Sequence, residues 1–329
     1  MTSLPYLDAA TLERLVPLGR AVRILEDALR DGLDPEATPQ RPVVDLPAGQ
    51  LLLMPAATRR YAGVKAVSVA PGNPGRGLPR IQGTYLLFDG DTLTPLAAMD
   101  GIALTSLRTP AVSALAVRHL ADPGGGRLVV FGSGPQAWGH VLALREVRPI
   151  TEVSVAGRDA GRAEALAARC RALGLPAQAL TSASDPGASQ IAERDVHEAV
   201  ARADLIACCT TADRPLFPGK LARDGVTVVA VGSHEPGARE LDGDLVARAT
   251  VVVEARAAAL EEAGDVIIPI RQGTISTGHL AGNLADLVAG AVVAGPGPRV
   301  FKSTGMAWED LVIAAAAYEA WRQAGEQVS

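Results

Sequence analysis

Residues 132 to 137 read Gly132-Ser133-Gly134-Pro135-Gln136-Ala137, directly after the apolar run LVVF and directly before a stretch of helix formers. That spacing, set between a predicted strand and a predicted helix, is what the pyrophosphate of a dinucleotide requires. Gly132 lets the chain leave the strand in a tight turn. Gly134 removes a side chain where the backbone approaches the anion, and the small Ala137 lets the helix pack on the sheet. The helix N-terminus then offers free N–H groups and its positive dipole end. The next strand, EVSVAG, ends in Gly157 followed by Arg158, where a site for NAD would present a carboxylate to the ribose. A guanidinium suits a 2′-phosphate, which favours NADP(H). NAD(H) is the alternative, with Asp159 at the ribose. Thr210 and Thr211 follow the strand LIACC, and Gly232, Ser233 and His234 follow VVAV. Both loops are expected to line the same crevice, because open α/β sheets bind ligands at the C-terminal ends of their strands.

One further residue stands out by its surroundings. Lys65 sits inside the apolar run GVKAVSV, where burial would shift its protonation. Metal chemistry finds no support. The His-Glu pair His234-Glu235 runs into Pro236-Gly237, which cannot complete a metal-binding helix, and Cys170, Cys208 and Cys209 lack ligand spacing. The cysteines read as small buried residues.

The elements that must position these residues fall into two textures. TLERLVPLGRAVRILEDALRDGL has apolar residues at helical period and predicts one amphipathic helix. RPVVDLP, QLLLMPA, YAGVKAVSVA and GTYLLFDGDT follow as strands separated by Gly and Pro clusters, which predicts an antiparallel or mixed sheet. SLRTPAVSALAVRHLA returns to helical period. From Leu128, Val-rich strands alternate with amphipathic helices, the signature of a parallel sheet covered on both faces. LTSASDPGASQ reads as a polar surface insertion. The closing GMAWEDLVIAAAAYEAWRQAG is a helix whose Met306, Leu311, Ala315 and Trp321 are placed to pack back on the first domain. The expected fold is α/β: a Rossmann-type, doubly wound parallel sheet over 122–300, beside a discontinuous α+β domain made of 1–121 and 301–329.

The 329 residues suffice for two cores, and a net charge of −5 without blocks of like charge argues against nucleic acid as a partner. No apolar run approaches the roughly 20 residues that span a bilayer, so the protein is expected in the cytoplasm, with no membrane partner.

Several blocks together resemble the ornithine cyclodeaminase and mu-crystallin family: RPVVDLP, AGVKAVSVAPGNP, GTYLLFDGDTLTPLAAMDG, ALTSLRTPAVSALAVRHLA, VFGSGPQA, AVGSHEPGARELD and VFKSTGMAWEDLVIA, in order from about Arg41 to Ala317. The resemblance implies a homodimer with a substrate and dimerisation domain beside a Rossmann domain, a nicotinamide cofactor, and amino-acid or cyclic-imine substrates. Arg41, Lys65 and Arg108 match the family's cations that hold the substrate carboxylate, and Arg108 is also expected to reach the cofactor phosphates. Several charge-assisted donors suit a carboxylate, and fixing it aims the adjacent carbon at the nicotinamide. Glu262 matches an acidic position near the substrate, and Thr84 and Ser303 match cofactor contacts. Ser303 also reads as an N-cap for the closing helix.

His234 departs from the cyclodeaminases, which carry an aspartate there. An imidazole can still exchange a proton near neutral pH, but it lacks the fixed negative charge that favours a cationic amine during cyclisation. The block instead resembles relatives that reduce pyrroline-2-carboxylate and piperideine-2-carboxylate. The expected activity is therefore NAD(P)H-dependent reduction of a cyclic ketimine carboxylate, with Lys65 and His234 as the catalytic pair. A cyclodeaminase or amino-acid dehydrogenase, and a non-catalytic NADPH-dependent binder, are the alternatives.

Overall fold

A computed structural model describes residues 4–124, 126–181 and 190–326. They form two compact units, one running to Val112 and resuming at Met306, the other spanning Ser113 to Gly305.

The first unit opens with strand β1 (Tyr6–Leu7) and helices α1 (Ala9–Leu15) and α2 (Leu18–Arg30). The sequence pattern predicts a single helix here. Pro17 divides it, because proline supplies no N–H and takes an extended ψ of 156° as the first residue before α2. Asp8 caps α1 by accepting from the Thr11 N–H, and Gly32, at φ 92°, closes α2. Strands β2 (Val43–Leu46), β3 (Gly49–Ala57), β4 (Tyr61–Val69), β5 (Ile81–Asp89) and β6 (Pro95–Asp100) follow. They build a mixed sheet in the order β1-β6-β5-β4-β3-β2, in which β1 runs parallel to β6 and the remaining neighbours are antiparallel. Helix α3 (Gly101–Leu120) begins in this unit.

The second unit carries β7 (Gly126–Phe131), α4 (Pro135–Arg145), β8 (Ile150–Gly157), α5 (Ala160–Ala172), β9 (Ala177–Thr181), α6 (Gln190–Arg202), β10 (Leu205–Cys208), β11 (Thr227–Ala230), α7 (Gly243–Arg248), β12 (Thr250–Val253), α8 (Arg256–Glu262), α9 (Gly264–Arg271), β13 (Leu280–Asn283), α10 (Leu284–Val288) and β14 (Arg299–Lys302). Its eight strands are all parallel, in the order β13-β12-β14-β11-β10-β7-β8-β9. The direction of winding reverses between β7 and β10, the switch point where such sheets bind ligands. Val129, Phe131, Ile206, Val228, Val251 and Val300 are buried together in its core.

Two expectations need correction. Strand β14 lies in the middle of the parallel sheet, between β11 and β12, so a boundary at 300/301 would cut a core strand. The units divide at 112/113, within α3, and at 305/306 instead of at 121/122 and 300/301. Leu180 and Thr181, assigned from sequence to a polar insertion, end β9. The segment's last residue, Gln190, opens α6, and 182–189 lie outside the described residues.

The chain closes with α11 (Ala307–Glu326), which packs on α2, β3 and β4 of the first unit. Met306 and Leu311 are buried, while Trp321 is more exposed and stacks on Tyr318.

Within the first sheet, Tyr85 on β5 is fully buried and its phenol lies over Gly63 of β4, where a Cβ would stand 2.1 Å from the hydroxyl oxygen. Lys65, two residues further along β4, is the direct cross-strand neighbour of Tyr85. Gly63→Ala is expected to destabilise the protein by about 1–3 kcal/mol through overpacking, read as a lower urea midpoint with an unchanged denaturant slope.

Candidate active site

The first unit gathers two of the three predicted cations. Lys65 points from β4 into the layer between sheet and helices and is 1% exposed. Its Nζ donates to both carboxylate oxygens of Asp310, at 2.9 and 2.7 Å, and to Thr105 Oγ1 at 3.0 Å. Arg108, 6% exposed, donates from Nη1 to Glu309 Oε2 at 3.1 Å, and its Nε stands 3.7 Å from Asp310 Oδ1. Burial pulls the Lys65 ammonium down to about 8, with the Asp310 charge opposing and Arg108 adding to the fall. Burial also drives the Tyr85 phenol well above its ordinary value, so it stays protonated. The third cation, Arg41, is half-buried just ahead of β2. Thr84 is exposed on β5.

In the second unit the glycine loop has the predicted form. Gly132 takes φ 105°, and a Cβ on it would meet the Cys209 carbonyl oxygen at 2.5 Å. Gly134 is the N-cap of α4 without any side-chain cap, so the first N–H groups of an eleven-residue helix are left for an anion. A Cβ at Gly134 would meet nothing within 4 Å. Pro135 opens the helix, and Ala137 is fully buried against the sheet.

His140, one turn further on, fixes this start. Its Nδ1 lies 2.8 Å from the Gln136 carbonyl oxygen, which can only accept, so Nδ1 carries the proton and Nε2 accepts from Ser113 Oγ at 2.9 Å. Burial lowers this histidine to about 4 and keeps it neutral.

A cavity of about 570 Å³ adjoins the loop, lined by Gly132, Ser133, Gly134, Gly157, Arg158, Thr210 and Thr211 among others. Arg162 and Arg214, which the motif does not reveal, line it too, together with Asp159 and Asp213. Asp159 is engaged locally, accepting from the Arg162 N–H as the N-cap of α5. A dinucleotide fits this donor set: an uncapped helix start for the pyrophosphate and a basic end beyond Gly157.

Three buried acids fix the remaining loops. Glu240 is fully buried and accepts from the Thr210 N–H and hydroxyl through Oε1, and from the Gly232 N–H through Oε2, each at 2.8 Å. Burial pushes its carboxyl up, while Lys302 and the Thr210 hydrogen bonds pull it down. Asp265 accepts from the Glu240 and Leu241 N–H groups and pairs with Lys302 at 3.0 Å. Lys302 in turn donates to the Ser233 carbonyl oxygen at 2.6 Å. Glu254 accepts from the Ser303 hydroxyl at 2.6 Å and from the N–H groups of Thr304 and Gly305. Ser303 is therefore not the cap of the closing helix, which starts at Ala307. His234 is exposed beyond this anchored backbone, and Glu262 ends α8, half-buried.

Asp310, Glu309, Thr105, Glu240, Asp265, Lys302 and Glu254 were not found from sequence. For the first two a signal existed, a charged pair at the head of the otherwise apolar AWEDLVIAAAA. Among the described residues no cluster of His, Cys, Asp and Glu is arranged to hold a metal ion, and no helix is long and apolar enough to cross a membrane. Cys170, Cys208 and Cys209 carry no disulfide.

Comparison with known proteins adds independent findings. A Delta(1)-pyrroline-2-carboxylate reductase of Bacillus cereus is 36% identical over 275 residues, covering 82% of this chain and 80% of that protein. A Delta(1)-pyrroline-2-carboxylate/Delta(1)-piperideine-2-carboxylate reductase of Azospirillum brasilense is 33% identical over 97% of both chains. The solved structure of the Thermococcus litoralis Delta(1)-pyrroline-2-carboxylate reductase, in complex with NADH and L-proline, superposes with a TM-score of 0.88 at 31% identity over 98% of both. The pattern of the ornithine cyclodeaminase/mu-crystallin family matches residues 20–325, and the chain belongs to that family.

Proposed function

We propose that the protein reduces a cyclic ketimine carboxylate, pyrroline-2-carboxylate or piperideine-2-carboxylate, to the cyclic amino acid, with NADP(H) as the preferred dinucleotide. The observation that carries this reading is the pair of buried cations Lys65 and Arg108, held ready in the first unit by acids of the same unit. With Arg41 they hold the substrate carboxylate, which orients the neighbouring C=N carbon. When bound, the reduced nicotinamide supplies the hydride to that carbon. His234, exposed on its anchored loop, is the proposed proton donor to the imine nitrogen.

In the second unit, Gly132 to Ala137, Thr210, Thr211 and Gly232 are assigned to the dinucleotide, with Ser303 acting through Glu254. Thr84 and Glu262 keep their family assignments, to cofactor and substrate. Arg158, Arg162 and Arg214 support a 2′-phosphate. The NADH in the Thermococcus relative supports NAD(H) as the second choice. A homodimer is supported by edge strand β2, whose exposed Val43, Val44 and Leu46 form an unpaired apolar border.

Loss of NADPH absorbance with pyrroline-2-carboxylate or piperideine-2-carboxylate is the expected result. Inactivity across a panel of cyclic imino acids, or ammonia release from ornithine or lysine with NAD neither gained nor lost, would overturn the reading. Arg158→Ala is expected to raise the KM for NADPH about tenfold to a hundredfold while leaving that for NADH nearly unchanged. Equal effects on both cofactors would place Arg158 away from the 2′-phosphate.

A further inference from the structure

We propose that Asp310 is the positioning residue of Lys65: it holds the buried ammonium by both carboxylate oxygens, keeps it charged, and yields one N–H when a substrate carboxylate arrives. The inference rests on the reductase reading only for the identity of that carboxylate.

The hydrogen-bond directions are fixed by their partners. Thr105 Oγ1 donates its own hydrogen to the Gly101 carbonyl oxygen at 2.9 Å, so toward Lys65 it can only accept. Lys65 is the donor in all three of its contacts, and an ammonium has three hydrogens. None is left over for a ligand. A carboxylate that reaches Nζ must therefore displace an existing acceptor. Of the two, Asp310 is the one that can give way and remain bonded, because it goes from two contacts to one, whereas Thr105 would lose its only contact with Lys65.

Every element around the lysine fits this role. Helix α11 brings Asp310 and Glu309, α3 brings Arg108 beside Thr105, and β5 brings the neutral Tyr85 phenol. The cross-strand neighbour on β3 is Met54, which brings no charge. The Arg108 guanidinium pushes against the ammonium, and Asp310 is the chief group opposing burial. Without it the lysine would shed its proton and lose its hold on an anion.

The consequence for pH has a definite sign. Folded Lys65 releases its proton near 8, and an unfolded lysine near about 10.4, so this group favours the folded state increasingly as pH rises through that window. Asp310→Asn lowers the folded value further and moves the start of the window down. The variant's deficit in unfolding midpoint against wild type should therefore be largest near pH 6 and narrow toward pH 9. A purely packing role for Asp310 leaves that deficit constant with pH, and a constant deficit overturns the proposal. This measurement needs no substrate.

The activity measurement runs beside it. The alkaline fall of kcat/KM, expected near pH 8 in wild type, should move down by about one to two units in Asp310→Asn, with about a twofold to tenfold loss at pH 7. An unmoved alkaline limb overturns the proposal. Thr105→Val should shift the limb in the same direction by less and Thr105→Ser should restore it, which keeps the test decisive if Asp310→Asn does not fold. Should wild type turn over no cyclic imino acid, the reductase reading falls. A narrowing deficit would still support Asp310 as the group that holds Lys65 charged.

Discussion

A charged amine buried in an apolar sheet has to be compensated, and much of the first unit follows from that requirement at Lys65. Its partner Asp310 lies 245 residues away along the chain, on the last helix. Arg108 and Glu309 repeat the arrangement, 201 residues apart. Removing one partner of such a buried pair typically costs about 3–5 kcal/mol, because an uncompensated charge is left behind. The closing helix is therefore part of the first unit's electrostatics as much as of its packing. This is the physical reason that unit is discontinuous: its sheet supplies Lys65, its third helix supplies Arg108, and both acids arrive only after the parallel-sheet domain has been completed.

The second unit applies the same rule to backbone. Its ligand-facing loops follow short parallel strands, and loop N–H groups inside a protein must find acceptors. Glu240 collects those of Thr210 and Gly232, and Glu254 those of Thr304 and Gly305. Asp265 and Lys302 join the two systems, since Asp265 holds the backbone of Glu240, and Lys302 ends β14, next to Ser303. Gly232 has to be glycine for the same reason: a Cβ there would stand 1.9 Å from the Thr210 carbonyl oxygen.

Features carried by local sequence were legible before the structure. The glycine loop could be read because Gly132 takes a φ of 105° that suits glycine alone, and Lys65 because a lysine within GVKAVSV violates the apolar pattern. Proline at 17 was read too lightly, as its cost inside a helix outweighs the amphipathic period around it. Strand β14 was missed because four residues, RVFK, carry little periodicity, and its central place depends on a chain return that no local window contains. The same holds for Asp310 with Lys65, Glu240 with Thr210 and Glu254 with Ser303. No local window shows these pairings, because the partners lie 30 to 245 residues apart. Arg162 and Arg214 were hidden for a related reason, since their meeting with Arg158 depends on how α5 and the loop after β10 face one cavity.

The groups proposed to grip and those proposed to choose are held very differently. Lys65, Arg108, Glu240, Glu254, Asp265 and Lys302 are all buried and bonded to other side chains or to backbone, so changing any one of them threatens folding. Arg158, Arg162, Arg214 and His234 are exposed on loops or helix starts, where a substitution away from special features typically changes stability by about 0.5 kcal/mol or less. On the proposed roles, a scaffold divided in this way can exchange its cofactor preference or its proton donor while keeping its hold on a carboxylate and on a pyrophosphate. On the proposed reading, the difference between reducing an imine and expelling ammonia lies in side chains such as the one at position 234, set on a loop whose course is fixed from beneath by Glu240 and Lys302.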